Sequence, residues 1–123
     1  MDYESKIIES SRELSAKEKL AVKDVTGAKS LDEVAENERL RIHPQFYAVC
    51  DIHNEKAKDK KDYKKYIIVD CDGFKYVTGS ESFWKTFIDI HTTMNGEDYE
   101  IDVFKKPSKN YSGKYFISCG IVL

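Results

Sequence analysis

The chain has 123 residues, 41% of them apolar and 34% charged, which fits one globular domain of roughly 100–150 residues and excludes a disordered or fibrous polymer. Twenty lysines and arginines face 22 acids, for a net charge of -2, so the chain as a whole is no basic polyanion binder and a nucleic-acid site requires local clustering. No apolar run approaches the roughly 18–20 residues of a membrane-spanning helix.

Residues 1–38 hold ten acids and six Lys/Arg among scattered apolar positions and read as a charged N-terminal extension, partly helical. Ser15 with Glu18, and Ser30 with Glu33, match the capping-box spacing and predict two short helical turns. Residues 39–123 then read as one body. Phe46, Ala48, Cys50 and Ile52 alternate with Tyr47, Val49, Asp51 and His53, which predicts a long strand with Pro44 near its start. The run NEKAKDKKDYKK at 54–65 is a polar loop. Tyr66-Ile67-Ile68-Val69 and Phe74-Lys75-Tyr76-Val77 are two strands of a hairpin turning at Asp72-Gly73.

From residue 80 the period changes to 3.6: Phe83, Trp84, Phe87, Ile88, His91 and Met94 form the apolar stripe of one helix over 80–94. Ser80 is its N-cap and Asn95-Gly96 its stop. Tyr99, Ile101 and Val103 predict a fourth strand, and after the loop KKPSKNYSGK at 105–114, Tyr115, Ile117, Cys119 and Ile121 predict a fifth. The order β-β-β-α-β-β describes a mainly β fold with one principal helix: an OB-fold-like five-stranded Greek-key barrel with a short helical N-terminal extension.

In such barrels oligonucleotides lie across strands two and three, between the loops joining strands one to two and four to five. Those two loops carry ten of the 20 basic residues: Lys56, Lys58, Lys60, Lys61, Lys64 and Lys65 in the first, Lys105, Lys106, Lys109 and Lys114 in the second. Single-strand binders combine a cationic groove with aromatic rings that stack bases, and Tyr63, Tyr66, Phe74, Tyr76 and Tyr111 are the candidates. Taken singly, each of these residues has an ordinary reading, as a wet loop lysine or a core aromatic. The coincidence of the two sets favours a nucleic-acid site.

Catalytic signatures are missing from the sequence. It has no GxSxG, Walker loop or HExxH, and its carboxylates are not clustered as a two-metal site requires. His43, His53, His91 and the cysteines show no ligand spacing. The expectation is a non-enzymatic protein without a cofactor or metal. Cys50, Cys71 and Cys119 lie far apart in apolar runs, and MDYESKIIES has no apolar signal-peptide core, so reduced, buried thiols, a cytoplasmic location and no membrane partner are expected.

The long strand RIHPQFYAVCDIHNE, the hairpin YIIVDCDGFKYVTGSESF and the ending KKPSKNYSGKYFISCGIV make the segment from Ser30 to Leu123 similar to the small phage single-stranded-DNA-binding proteins. The resemblance implies an OB-fold, cooperative coating of single-stranded DNA in phage replication or recombination, and residence in the bacterial host cytoplasm. The acidic N-terminal segment reads as a solubilising cap, with self-association or contact with replication and recombination proteins as the alternative. An alternative is a phage inhibitor of a host protein, such as an anti-CRISPR, with Glu97, Asp98, Glu100 and Asp102 imitating a phosphate backbone. An OB subunit whose groove binds a peptide is a third.

Overall fold

The computed structural model describes residues 3–24, 26–56, 62–108 and 113–123. Along them run β1 (Tyr3–Ser10), α1 (Ala16–Lys23), β2 (Lys29–Ser30), a 3-10 turn (Leu31–Glu33), β3 (Leu40–Ile42), β4 (Pro44–Asn54), β5 (Asp62–Asp70), β6 (Lys75–Thr78), α2 (Glu81–Met94), β7 (Ile101–Pro107) and β8 (Tyr115–Ile121). The fold is mainly β, with a five-stranded sheet ordered β1-β4-β5-β6-β2 and a three-stranded sheet ordered β3-β7-β8. Among the described residues the ladders do not close into the expected barrel. Both edges of β4 are taken, by β1 and β5, and both edges of β7, by β3 and β8. The chain divides into two compact units, residues 1–29 with 45–79 and residues 30–44 with 80–123.

The N-terminal segment contains a strand that charge had hidden. Its register on β4 sets Glu4 opposite His53, Lys6 opposite Asp51 and Ile7 opposite Cys50, with an irregularity between Ile7 and Glu9. Opposite charges across the ladder support such pairing, and charges and a bulge are what an edge strand carries to deter further pairing. Ile7 packs against the first unit's core of Leu14, Val22, Phe46, Ala48, Cys50, Ile52, Ile67 and Val69. The four β4 members of that set alternate, so one face of β4 lies on this core.

Ser15 caps α1 as the spacing predicts: its Oγ accepts from the Glu18 N–H at 3.2 Å, and Glu18 Oε1 accepts from the Ser15 N–H at 2.9 Å. Arg12 grips Glu18 with two hydrogen bonds of 3.0 and 2.8 Å, which hold the carboxyl down at about 2. At the other end Lys75 Nζ donates to the carbonyls of Ala21 at 3.2 Å and Asp24 at 2.6 Å, where a cation complements the helix dipole. Ser30 precedes its 3-10 turn without a side-chain cap.

In the second unit α2 packs on β8. Ser80 Oγ accepts from the Phe83 N–H at 3.2 Å, and Asn95 ends the helix in the left-handed conformation, both as the sequence predicts. Phe83, Trp84 and Phe87 are buried; the rings of Phe83 and Phe87 stack at 6.4 Å, and Trp84 lies 5.0 Å from Phe87. Ile88, His91 and Met94 are half-buried.

Where β4 ends and β5 begins, His53 Nδ1 meets Asp62 Oδ1 at 2.6 Å while Nε2 meets Glu55 Oε1. Two acceptors on two ring nitrogens require both to carry protons, so hydrogen bonds from Asp62 and then Glu55 raise the imidazole's pKa. A raised folded-state pKa makes the contribution full below the unfolded value of about 6.5 and removes it as pH rises through the folded value. Thermal melts should therefore show His53→Gln less stable than the parent near pH 5.5 and closer to it above neutrality. A melting difference constant between pH 5.5 and 8.5 would contradict this.

Candidate nucleic-acid interface

Of the residues singled out by sequence, Lys58, Lys60, Lys61, Lys109 and Tyr111 lie outside the described residues. Lys56 and Lys64 are exposed and Lys65 is half-buried, its Nζ 5.9 Å from the Tyr63 ring centroid. Pairing of Tyr66 with Thr78 and of Ile68 with Tyr76 puts the two tyrosines on one face, as the hairpin implies. Tyr66 has no open ring face to offer, and Tyr76 is half-buried. Tyr66 is only 7% exposed, and the Tyr76 hydroxyl donates to Asp70 Oδ2 at 3.3 Å. Alternation could not show this because β5 is buried along both faces from Tyr66 to Asp70. Phe74 does stand out, 66% exposed, on a turn in which Asp70 Oδ1 accepts from the N–H groups of Asp72 and Phe74 at 2.9 Å each and Gly73 takes a φ of 89°. Cys71 is exposed on the same turn, not buried as expected, whereas Cys50 and Cys119 are buried. Burial raises both inner thiols, Cys119 to about 12, so neither supplies a thiolate near neutral pH.

Lys105 is half-buried while Lys106 and Lys114 are exposed. Lys106 belongs to a surface that inspection of the loops missed. On β7, Ile101 and Val103 are buried, as are Ile117 and Cys119 on β8 and Ile42 on β3. The intervening residues must point the other way. The register aligns Arg41 with Asp102 and Asp102 with Gly120, then Phe104 with Ser118, then Lys106 with Phe116. The face opposite the aliphatic set thus carries two phenylalanines on neighbouring strands among cations, Phe104 half-buried and Phe116 exposed, with Ser118 between them buried.

The side-chain contacts bind this face together. Arg39 stacks its guanidinium 4.6 Å from the Phe104 ring centroid, and Lys106 Nζ lies 6.0 Å from the same ring. Asp102 holds Arg41 Nε at 3.2 Å and Arg39 Nη1 at 3.9 Å. Phe116 is 41% exposed and Tyr115 beside it is exposed too. A Cβ added at Gly120 would lie 3.8 Å from Phe104 Cε1, so the ring reaches over a position without a side chain. The bland account is that Arg39 covers a ring and, with Arg41, neutralises one acid. It leaves Phe116 and Lys106 unexplained. One acid among Arg39, Arg41 and Lys106 makes the face cationic, and flat rings flanked by cations are the chemistry of base stacking with phosphate contact. The signal was available in the sequence: Phe104 is out of phase with the buried pair Ile101 and Val103, and it follows that an aromatic faces outward.

The acids considered as phosphate mimics are partly engaged, Asp98 Oδ1 with His43 Nε2 at 2.6 Å and Asp102 with the two arginines. Among the described residues no helix is long and apolar enough to cross a membrane. Comparison with protein-family models, curated proteins and solved structures finds no match, so the functional reading rests on the chain's own surface.

Proposed function

We propose that the chain binds single-stranded DNA with little sequence preference, protecting it during phage replication or recombination, and that the outward face of β3, β7 and β8 is the contact surface. The observation that carries this is the pairing of two outward phenylalanines, Phe104 and Phe116, with Arg39, Arg41 and Lys106 on one sheet face. Bases would stack on the rings without being read, and the cations would meet the phosphates. Lys114, exposed just before β8, would extend the phosphate track. A finer fold assignment accompanies the proposal: β4, β5, β6, α2, β7 and β8 follow the β-β-β-α-β-β order of an OB-fold, with β1, β2 and β3 added at sheet edges.

Fluorescence anisotropy with labelled oligo-dT should show binding that exceeds duplex binding and weakens with salt, by about 0.7 of a log unit per decade for each phosphate neutralised. Phe104→Ala and Phe116→Ala should each lose about 1–3 kcal/mol, the worth of one stacked base. No binding at low ionic strength would overturn the proposal.

Asp102 competes with phosphate for both arginines. Asp102→Asn should therefore tighten oligo-dT binding and steepen its salt dependence, read in the same titration. Unchanged or weaker binding by a folded variant would show that the arginines do not reach the strand.

A further inference from the structure

Four of the seven large apolar side chains exposed among the described residues, Tyr115, Phe116, Ile121 and Leu123, lie on β8 or just past its end. β8 is also the last strand of its sheet, paired on one side only, with β7. We propose that this edge pairs with the same edge of a second copy of the chain, antiparallel about a twofold axis at Ser118, and so joins two three-stranded sheets into one of six strands.

The hydrogen-bond pattern decides which backbone groups are available. Ser108 N–H donates to the Lys114 carbonyl at 2.8 Å and Val122 N–H to the Glu100 carbonyl at 2.9 Å, one at each end of the ladder that β7 and β8 form. Hydrogen-bonded pairs alternate along an antiparallel ladder, so with Phe104 in register with Ser118 the even-numbered residues of β8 bond to β7. Tyr115, Ile117, Cys119 and Ile121 turn their N–H and C=O groups the other way, to an edge where no described strand lies. The 3-10 turn at Leu31–Glu33 comes near β8, yet among the described residues it makes no backbone hydrogen bond to it. Open edges in soluble proteins carry charges, proline or bulges against further pairing. β1 has Glu4, Lys6, Glu9 and an irregular register, and β3 has Arg41; the YFISCGI of β8 has neither charge nor proline.

Self-complementarity identifies the occupant. Ser118 is the midpoint of the seven residues of β8, so an axis there gives the greatest overlap of two copies. It sets Ile117 opposite the partner's Cys119 and Tyr115 opposite the partner's Ile121, and these are the residues whose backbone groups point to the open edge. Tyr115 and Ile121 share a face with buried Ile117 and Cys119 but stand 45% and 38% exposed at the strand's two ends; across the axis each covers the other. On the opposite face Phe116 meets the partner's Gly120, and an aromatic ring across from a strand glycine compensates the missing side chain. The contact is isologous and closes at two copies, and one strand edge is a small interface, which makes the dimer weak and concentration-dependent. Both cation-aromatic faces would then lie on one side of a single sheet. That last consequence rests on the DNA-binding reading above, whereas the pairing itself does not.

Sedimentation velocity of the whole chain without DNA, over micromolar to submillimolar concentrations, tests the pairing. The chain should pass from monomer to dimer and form nothing larger. Tyr115→Lys and Ile121→Glu, each at an exposed position, should each raise the dimer dissociation constant about tenfold or more. Combined, the two substitutions place opposite charges across the axis twice over and should restore dimerisation. Amide hydrogen exchange at Ile117 and Cys119 gives a reading that needs no variant, and it should slow as the concentration of the parent chain rises. A chain that stays monomeric throughout, a dimer that neither single variant weakens, a double variant no better than the singles, or exchange at both amides that ignores concentration overturns the proposal. Because the samples hold no DNA, failure of the dimer and failure of oligo-dT binding are separate results.

Discussion

Burial on one side of the β3-β7-β8 sheet decides what stands on the other. Ile42, Ile101, Val103 and Ile117 are all buried there, and removing each aliphatic side chain from water stabilises by ~1.5–3 kcal/mol. Side chains alternate strictly along a strand, so slipping β7 or β8 by one residue would bring Phe104, Lys106 and Phe116 inward and put the aliphatic set in water. The cost of that slip is many times the worth of any surface contact. The cation-aromatic face is therefore a consequence of the core, held in register by the residues buried on the sheet's other side.

Edge occupancy has a comparable effect in the other sheet. β1 covers one edge of β4 over Tyr3–Ser10 and β5 covers the other. With both ladders filled, β4 has no edge left to pair with β7 or β8, and among the described residues the strands form two sheets. β1 also packs Ile7 against the first unit's core. A segment that composition marks as a solubilising extension is thus structural.

Most of the element order was legible in the residues, because each signal had one dominant cause. The α2 stripe, its Ser80 cap and its Asn95 stop are local, as are the Ser15 and Glu18 box and the turn at Asp72-Gly73. Pairing partners were less visible. YESKIIES gives no clean period, and its strand character comes from the cross-strand match of Glu4 with His53 and Lys6 with Asp51, which no local window contains. Tyr66 failed as a base-stacking residue for a related reason: whether the second face of a strand is covered depends on distant chain. Cys71 was misread because the apolar run around it ends in a turn. Phe104 and Phe116 could have been found from alternation alone, had the charged loops not drawn attention to the lysines on either side of them.

The central claim is that single-stranded DNA meets the sheet of β3, β7 and β8. Backbone amide shifts of the isotope-labelled protein, followed as oligo-dT is added, test it most directly. The account requires the largest changes at Arg39, Arg41, Phe104, Lys106 and Phe116, with little change along β1 and α1. Changes confined to residues 62–76, or spread evenly over every exposed lysine, would contradict it.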